Sequence, residues 1–81
     1  MRVTIKLFAR LRDITGVAEL QRDVTDGATI RDLWRQLAAE FPALDAYERS
    51  ISSARNADYA RMSDVLADGD EIAFLPPVSG G

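Results

Sequence analysis

One amphipathic helix constrains the fold of this chain more than any other stretch. Over residues 30–40 and on to position 41, apolar side chains recur every three or four residues, the period of one buried helix face. The members of this stripe are Ile30, Leu33, Trp34, Leu37, Ala38 and Phe41. Thr29 and Asp32 have the spacing of an N-terminal capping box, and Pro42 is expected to end the helix. Because an apolar stripe must be covered, the sequence predicts a second layer beside this helix, with Trp34 in the core.

The rest of the chain is typical of short β-strands. In residues 2–9 apolar and polar side chains alternate, the pattern of a sheet with one face on a core, and Phe8 falls on the polar face. Further strands are predicted at 18–24, 51–55, 58–60 and 70–75, with a short helical turn within 43–50. The order is therefore β-β-α-β-(β)-β.

Turn residues separate these strands. A turn through residues 10–13, closed by Gly16, is expected after the first strand. The pairs Asn56-Ala57 and Asp68-Gly69 predict two further turns. Additional core contacts are expected from Leu11, Ile14, Met62, Val65 and Leu66.

These elements predict an α+β fold in which a mixed sheet of about four to five strands covers one main helix. The first and last strands are expected to be central, parallel neighbours. Residues 1–75 are predicted to form one domain and residues 76–81 an extended C-terminal tail.

The tail is the most unusual segment, because it offers almost nothing to bury. Pro76 and Pro77 end the last strand, since proline cannot donate to a sheet ladder. Val78, Ser79, Gly80 and Gly81 complete the chain. Two residues without side chains would let a partner's narrow channel close around the backbone and still reach the terminal carboxylate of Gly81. The alternative interpretation is an ordinary frayed terminus.

Composition excludes several classes of function. The chain has no cysteine and no histidine, so disulfides, the usual zinc sites and Ser-His-Asp or imidazole chemistry are ruled out, and no metal site is predicted. A net charge of −3 argues against a nucleic-acid partner. No apolar run approaches the length of a membrane span and the N-terminus does not have a signal-peptide pattern, so no membrane contact and a cytoplasmic location are expected.

A family resemblance rests on three segments: residues 3–16, the Asn56 turn and, above all, residues 68–81, which read DGDEIAFLPPVSGG. Together they resemble the ubiquitin-like β-grasp fold and, within it, the sulfur carriers that form the small subunit of molybdopterin synthase. The resemblance covers the full length. Residues 52–62 depart from the family pattern, which usually has an apolar strand before its Asn turn.

The resemblance implies a carrier cycle at Gly81 rather than a bound cofactor. An adenylating enzyme of the ubiquitin-activating type would use ATP to convert the Gly81 carboxylate into an acyl adenylate, and a sulfur donor protein would replace AMP to leave a thiocarboxylate. The tail, Pro77 to Gly81, would then enter the active site of the large synthase subunit. Sulfur would pass there to cyclic pyranopterin monophosphate during molybdenum cofactor biosynthesis. The chain would not be an enzyme by itself, because its partners must supply the catalytic groups.

The same resemblance, together with strand parity, predicts a partner-binding patch at the base of the tail. Phe8 and Leu75 fall on the face away from the helix, and Tyr59 is expected to join them. Arg12 is expected to bind the partner from the rim of this patch, with Arg10 and Arg61 beside it.

Three other functions remain open from the sequence. The chain could be a ubiquitin-like sulfur carrier for thiamine, cysteine or tRNA thiolation pathways, with the same chemistry at Gly81. It could be a protein modifier that forms an isopeptide bond with a lysine of a target. It could also be an interaction module whose tail has no chemical role.

Overall fold

A five-stranded mixed sheet with helices on one face forms the fold, in a computed structural model that describes residues 1–77. The elements are β1 (Arg2–Leu7), α1 (Ala9–Thr15), β2 (Glu19–Asp23), α2 (Ile30–Glu40), a 3-10 helix (Pro42–Tyr47), β3 (Ser52–Arg55), β4 (Asp58–Ala60) and β5 (Glu71–Leu75). The strand order is β2-β1-β5-β3-β4. Strands β1 and β5 pair in parallel at the centre and the other pairs are antiparallel. The predicted α+β architecture is confirmed, and the division at residue 75 stays a prediction.

The capping box starts α2 where the sequence predicts. The backbone N–H of Asp32 donates to the Thr29 hydroxyl at 3.2 Å, and the backbone N–H of Thr29 donates to the Asp32 carboxylate at 2.9 Å. The Thr29 backbone N–H is the main reason that the pKa of Asp32 lies below its ordinary value, with the Thr29 hydroxyl contributing next. Phe41 caps the other end, and Pro42 starts the 3-10 helix instead of continuing α2.

The core lies between the apolar stripe of α2 and the inner face of β1 and β5. Trp34 is fully buried, and its ring meets that of Phe74 edge-on with centroids 5.0 Å apart. Ile5 and Ile72, paired across the two central strands, are also fully buried. Because Phe74 is the penultimate residue of β5, the same packing that buries Trp34 fixes the strand that leads into the tail.

The segment after β1 differs from the prediction. The strand predicted over residues 2–9 ends at Leu7, and the residues predicted as a turn, 10–13, lie within the helix α1. Phe8 is still extended (φ −122°, ψ 154°), and Ala9 then reverses the chain with φ +50°. The helix forms because this reversal swings Leu11 into the core, where it is completely buried.

The prediction that Val65 contacts the core is wrong. Its side chain is 55% exposed, whereas Leu66 next to it is buried. The backbone of Val65 forms an isolated bridge with Thr29, so the chain there is extended and neighbouring side chains point to opposite sides. Met62 and Ile14 pack against the core as expected.

The turn between β3 and β4 has both central residues in the left-handed region, with φ +48° at Asn56 and φ +75° at Ala57. Arg55 and Asp58 pair directly across it, so it is a two-residue hairpin of the type I′ kind. Asparagine tolerates this conformation, whereas alanine adopts it only at a steric cost.

Replacing Ala57 with glycine should therefore raise the free energy of unfolding by about 0.5–1 kcal/mol, since the relief of left-handed strain exceeds the added backbone entropy of the unfolded chain. Urea denaturation measures this change. Ala39→Gly, inside α2, is the control and should lower stability by up to about 1 kcal/mol. If Ala57→Gly also lowered stability, the strain at this turn would be disproved.

Candidate docking face at the base of the C-terminal segment

The face of the sheet away from α2 carries half-buried and exposed side chains. One row across it runs from Tyr59 through Ala54 and Ala73 to Lys6, as the pairing of neighbouring strands shows. Ala54 and Ala73 are small, so the centre of this row is flat and presents little more than methyl groups. We call this surface the open face.

Phe8 and Leu75 meet at the edge of the open face where β1 and β5 both end. Leu7 pairs with Phe74, so the extended Phe8 lies next in register beside Leu75. Phe8 is 42% exposed and Leu75 is half-buried. Tyr59 lies on the edge strand β4 and is 88% exposed. It belongs to the neighbouring row of the open face, and Ala54 and Ala73 lie between it and the Phe8–Leu75 pair. The structure thus places the three predicted apolar residues on one face.

The tail leaves the sheet from this edge. Strand β5 ends at Leu75, Pro76 is half-buried and Pro77 is exposed. The other predicted tail residues, Val78, Ser79, Gly80 and Gly81, lie outside the described residues. Their roles, like that of Pro77 inside a partner, stay predictions.

Charged residues border the apolar part of the open face. Lys6 and Glu71 form an ion pair at 3.6 Å, in the part of the open face that is farther from the tail. Arg12 lies on α1, exposed, and forms no ion pair with any carboxylate in residues 1–77. Arg10 and Arg61 are exposed as well, and the partner-binding role of these arginines stays a prediction.

A polar cluster that sequence reasoning missed holds the β3–β4 turn against the start of β5. Asn56 accepts from the backbone N–H of Glu71 at 2.9 Å and donates to Asp70 at 3.4 Å. Asp70 is only 6% exposed and also accepts from the backbone of Ala67 at 2.8 Å. Arg55 Nε lies 3.1 Å from the Asp70 carboxylate, as an ion pair whose N–H is not aligned as a hydrogen bond. The cluster fixes the strand bearing Tyr59 relative to the strand bearing the tail.

Two further parts of the face were not foreseen. Continuing the β1–β2 register places Val17, which is 39% exposed, beside Phe8. Ala54 was not predicted to lie on this face, because the polar sequence Ser-Ser-Ala-Arg has no apolar alternation to show which side of the strand each residue faces. Ala73 could have been found, because the sequence already places it on the same side of the last strand as Leu75.

Residues 1–77 contain no group of three or more carboxylate, histidine or cysteine side chains that could hold a metal ion. Among the helices described there, none has the length and apolarity needed to cross a membrane. Surface grooves of about 350 Å³ lie against α2 and not on the open face. The site is therefore a flat docking surface beside a chain end.

Comparisons with known proteins agree with this geometry. The molybdopterin synthase sulfur carrier subunit of Chlamydomonas reinhardtii is 41% identical, with all of both chains covered. The crystal structure of small archaeal modifier protein 1 from Haloferax volcanii is 34% identical with a TM-score of 0.84, again over the whole of both chains. A complex of subunits 1 and 2 of molybdopterin-converting factor from Helicobacter pylori contains a chain that is 26% identical over the whole of both chains, with a TM-score of 0.68.

A family model matches nearly the whole chain. It is the model of the ThiS family, and it covers residues 5–81, including the open face and the terminal glycines. The chain therefore belongs to the ThiS family, together with relatives that include sulfur carrier subunits of molybdopterin synthase.

Proposed function

We propose that this chain is the sulfur-carrier small subunit of a molybdopterin synthase. The observation that carries the proposal is full-length similarity to such subunits, at 41% identity in one relative, in a chain that ends in Gly80-Gly81. The exposed apolar residues at the base of the tail support it, because a carrier must dock before its chain end can react.

The chemistry takes place at the Gly81 carboxylate. A carboxylate is a poor electrophile because it is already charged and has no good leaving group. Attack of its oxygen on the α-phosphate of ATP forms an acyl adenylate and releases pyrophosphate, which supplies a leaving group. Sulfur at the sulfide oxidation level, delivered by a donor protein, then attacks the acyl carbon; a C–S bond forms, the C–O bond to AMP breaks, and a thiocarboxylate remains. We expect the acid–base groups to come from the partners, because the chain offers no histidine or cysteine beside its terminal carboxylate.

The large synthase subunit is the proposed acceptor of the charged tail. In the related Helicobacter pylori structure, subunit 1 is in a complex with subunit 2. Here the open face offers an apolar centre with a charged rim, the usual anatomy of a protein interface. An adenylating enzyme and a sulfur donor protein are the other partners proposed, and the cytoplasmic location expected from the sequence stays a prediction.

The test of this function is the intact mass of the chain. Co-expressed with its adenylating enzyme and a sulfur donor, the chain should gain the mass of one sulfur-for-oxygen exchange, located on Gly81 by fragmentation. Mixing the charged chain with the large subunit and cyclic pyranopterin monophosphate should return the original mass and form molybdopterin. A chain that never acquires sulfur under these conditions would contradict the proposal.

A protein modifier is the second candidate, since small archaeal modifier protein 1 is a relative and shares the fold. A modifier would leave its C-terminal glycines on lysines of other proteins, and digestion followed by mass spectrometry detects that remnant. Lys6 is the only lysine of this chain, so a conjugate between two copies through a side chain can form only there. Remnants on cellular proteins without any thiocarboxylate would favour the modifier.

Phe8→Asp tests the docking face. Phe8 is the N-cap residue of α1 and has no capping side chain, so aspartate should improve the cap while placing a charge in the apolar patch. We expect the dissociation constant for the large subunit to rise about 10- to 100-fold, the effect of losing an interface hot spot. Val65→Asp, at a residue that is 55% exposed but lies in the loop before β5, should bind normally in isothermal titration calorimetry. Equal loss in both variants would argue against a specific face.

A further inference from the structure

Four arginines lie on segments that begin or end at the edge of the sheet from which the tail leaves. Arg10 and Arg12 lie on α1, directly after β1 ends. Arg49 lies in the turn just before β3, whose first residue pairs with Leu75, and Arg61 follows the last residue of β4. All four are exposed. They come from three separate segments, so only the tertiary structure brings them together.

These four arginines form no ion pair within residues 1–77, and neither do Arg2 and Arg31, which lie elsewhere on the domain. Among residues 1–77 the ion pairs use Lys6, Arg22, Arg35 and Arg55, and none uses the four arginines at the tail edge. Two nearby carboxylates already have other partners. Glu48 forms an ion pair with Arg35, and Asp64 accepts a hydrogen bond from the backbone N–H of Arg61. Asp13 on α1 and Glu19 at the start of β2 are also close to this edge, and both are exposed and form no ion pair within residues 1–77.

The opposite edge of the sheet is acidic. The carboxylates around the start of β1, the end of β2 and the start of β5 are Asp23, Asp26, Asp58, Asp68, Asp70 and Glu71. The two edges are about 15–20 Å apart, given a rise of about 3.3 Å per residue along a strand. This distance exceeds the Debye length of about 8 Å at physiological salt. The electrostatic potential that a partner experiences at the tail edge is therefore set by the nearby arginines and not by the net charge of −3.

We propose that these four arginines, the tail-edge ring, dock against an acidic rim around the channel of the large synthase subunit that receives the tail. The inference rests on the proposed function and adds the chemistry of the partner surface. Unpaired arginines around an apolar centre steer association and fix orientation, and they attract carboxylates by bidentate hydrogen bonds. The chain as a whole is acidic, but unpaired positive charge is concentrated at its reactive end. Electrostatic attraction thus orients the chain so that the tail approaches the partner first.

The test measures association rates with the purified large subunit by stopped-flow fluorescence, from about 0.1 M salt, where the Debye length is about 10 Å, to about 1 M, where it is about 3 Å, so that the acidic edge is screened throughout. For the unchanged chain the association rate constant should fall steeply over this range. The double variant Arg10→Gln/Arg49→Gln should associate about tenfold more slowly at low salt, with a flatter salt dependence and a smaller change in dissociation rate. Arg12 is left in place because it is already assigned to partner binding.

Arg2→Gln/Arg31→Gln is the matched control, since it removes two arginines that also lack ion pairs within residues 1–77 but lie away from the tail edge. It should associate like the unchanged chain. Equal slowing in both double variants, salt-independent association, or faster association of the tail-edge variant would overturn the acidic-rim inference alone. Tight binding of a short single-stranded DNA that the tail-edge variant loses would overturn it in favour of a nucleic-acid surface. Absence of any binding to the large subunit would overturn the proposed function, and this inference with it.

Discussion

Removing Gly80 and Gly81 should abolish thiocarboxylate formation and molybdopterin synthesis while leaving the free energy of unfolding unchanged. The new terminus, Ser79, has a side chain next to the carboxylate and is two residues too short to reach the same depth in a partner's channel, a loss of about 6–7 Å of extended chain. Phe74 is the last core residue within residues 1–77, so the deletion is expected to leave the core intact. Intact mass after co-expression and complementation of a strain lacking the native carrier both measure the effect.

Two variants distinguish the effect of the length of the tail from the effect of its amino-acid composition. Adding one alanine after Gly81 keeps every residue but displaces the carboxylate, and it should be as inactive as the deletion. Ser79→Ala keeps both the length and the terminal glycines and should retain most activity. Full sulfur transfer by the deleted chain would contradict the proposal, because it would show that a Ser79 carboxylate two residues short serves as well as that of Gly81.

Trp34→Ala should destabilise the domain by about 3–5 kcal/mol, the usual cost of emptying a large buried site. Trp34 is fully buried against Phe74, and its neighbours on the stripe are held by α2 and cannot all collapse into the space. A domain of this size has a stability of only about 4–12 kcal/mol, so a large share of the molecules should be unfolded or close to unfolding at physiological temperature. Since Trp34 is the only tryptophan, circular dichroism in urea must replace fluorescence as the measurement.

Tyr59→Ala is the matched aromatic truncation on the open face. Its side chain is 88% exposed, so the free energy of unfolding should change by no more than about 0.5 kcal/mol. Partner binding should weaken if Tyr59 belongs to the docking face. The two aromatic variants therefore have opposite signatures, stability for Trp34 and binding for Tyr59. A stable Trp34→Ala protein would show that α2 is not the element that anchors β5.

Much of the architecture was predictable because its signals are local. The stripe on α2, the Thr29–Asp32 cap and the alternation along β1 and β5 each depend on residues a few positions apart. The same alternation placed Leu75 on the outer side of β5, which is where the structure has it. Helix α1 escaped prediction because it is short and depends on Ala9 adopting an unfavourable positive φ, for which the sequence carries no signal.

Residues that act through distant neighbours could not be foreseen. Arg55, Asn56 and Asp70 form one cluster only after β3 has paired with β5, and no spacing along the chain announces it. Arg49 joins the other arginines of the tail-edge ring for the same reason, since its turn reaches that edge only once β3 lies beside Leu75.

Sequence alone determined the main elements of this protein and the chemical nature of its chain end, because hydrophobic period, capping and the absence of side chains at Gly80 and Gly81 are properties of consecutive residues. Tertiary structure decided which surface surrounds that end. Parallel pairing of β1 with β5 brings Phe8 beside Leu75, and β3 joins from the other side with Ala54 and Arg49. Side chains far apart in sequence become one docking surface only when the strands between them are in register, and register is set by the burial of the core on the opposite face.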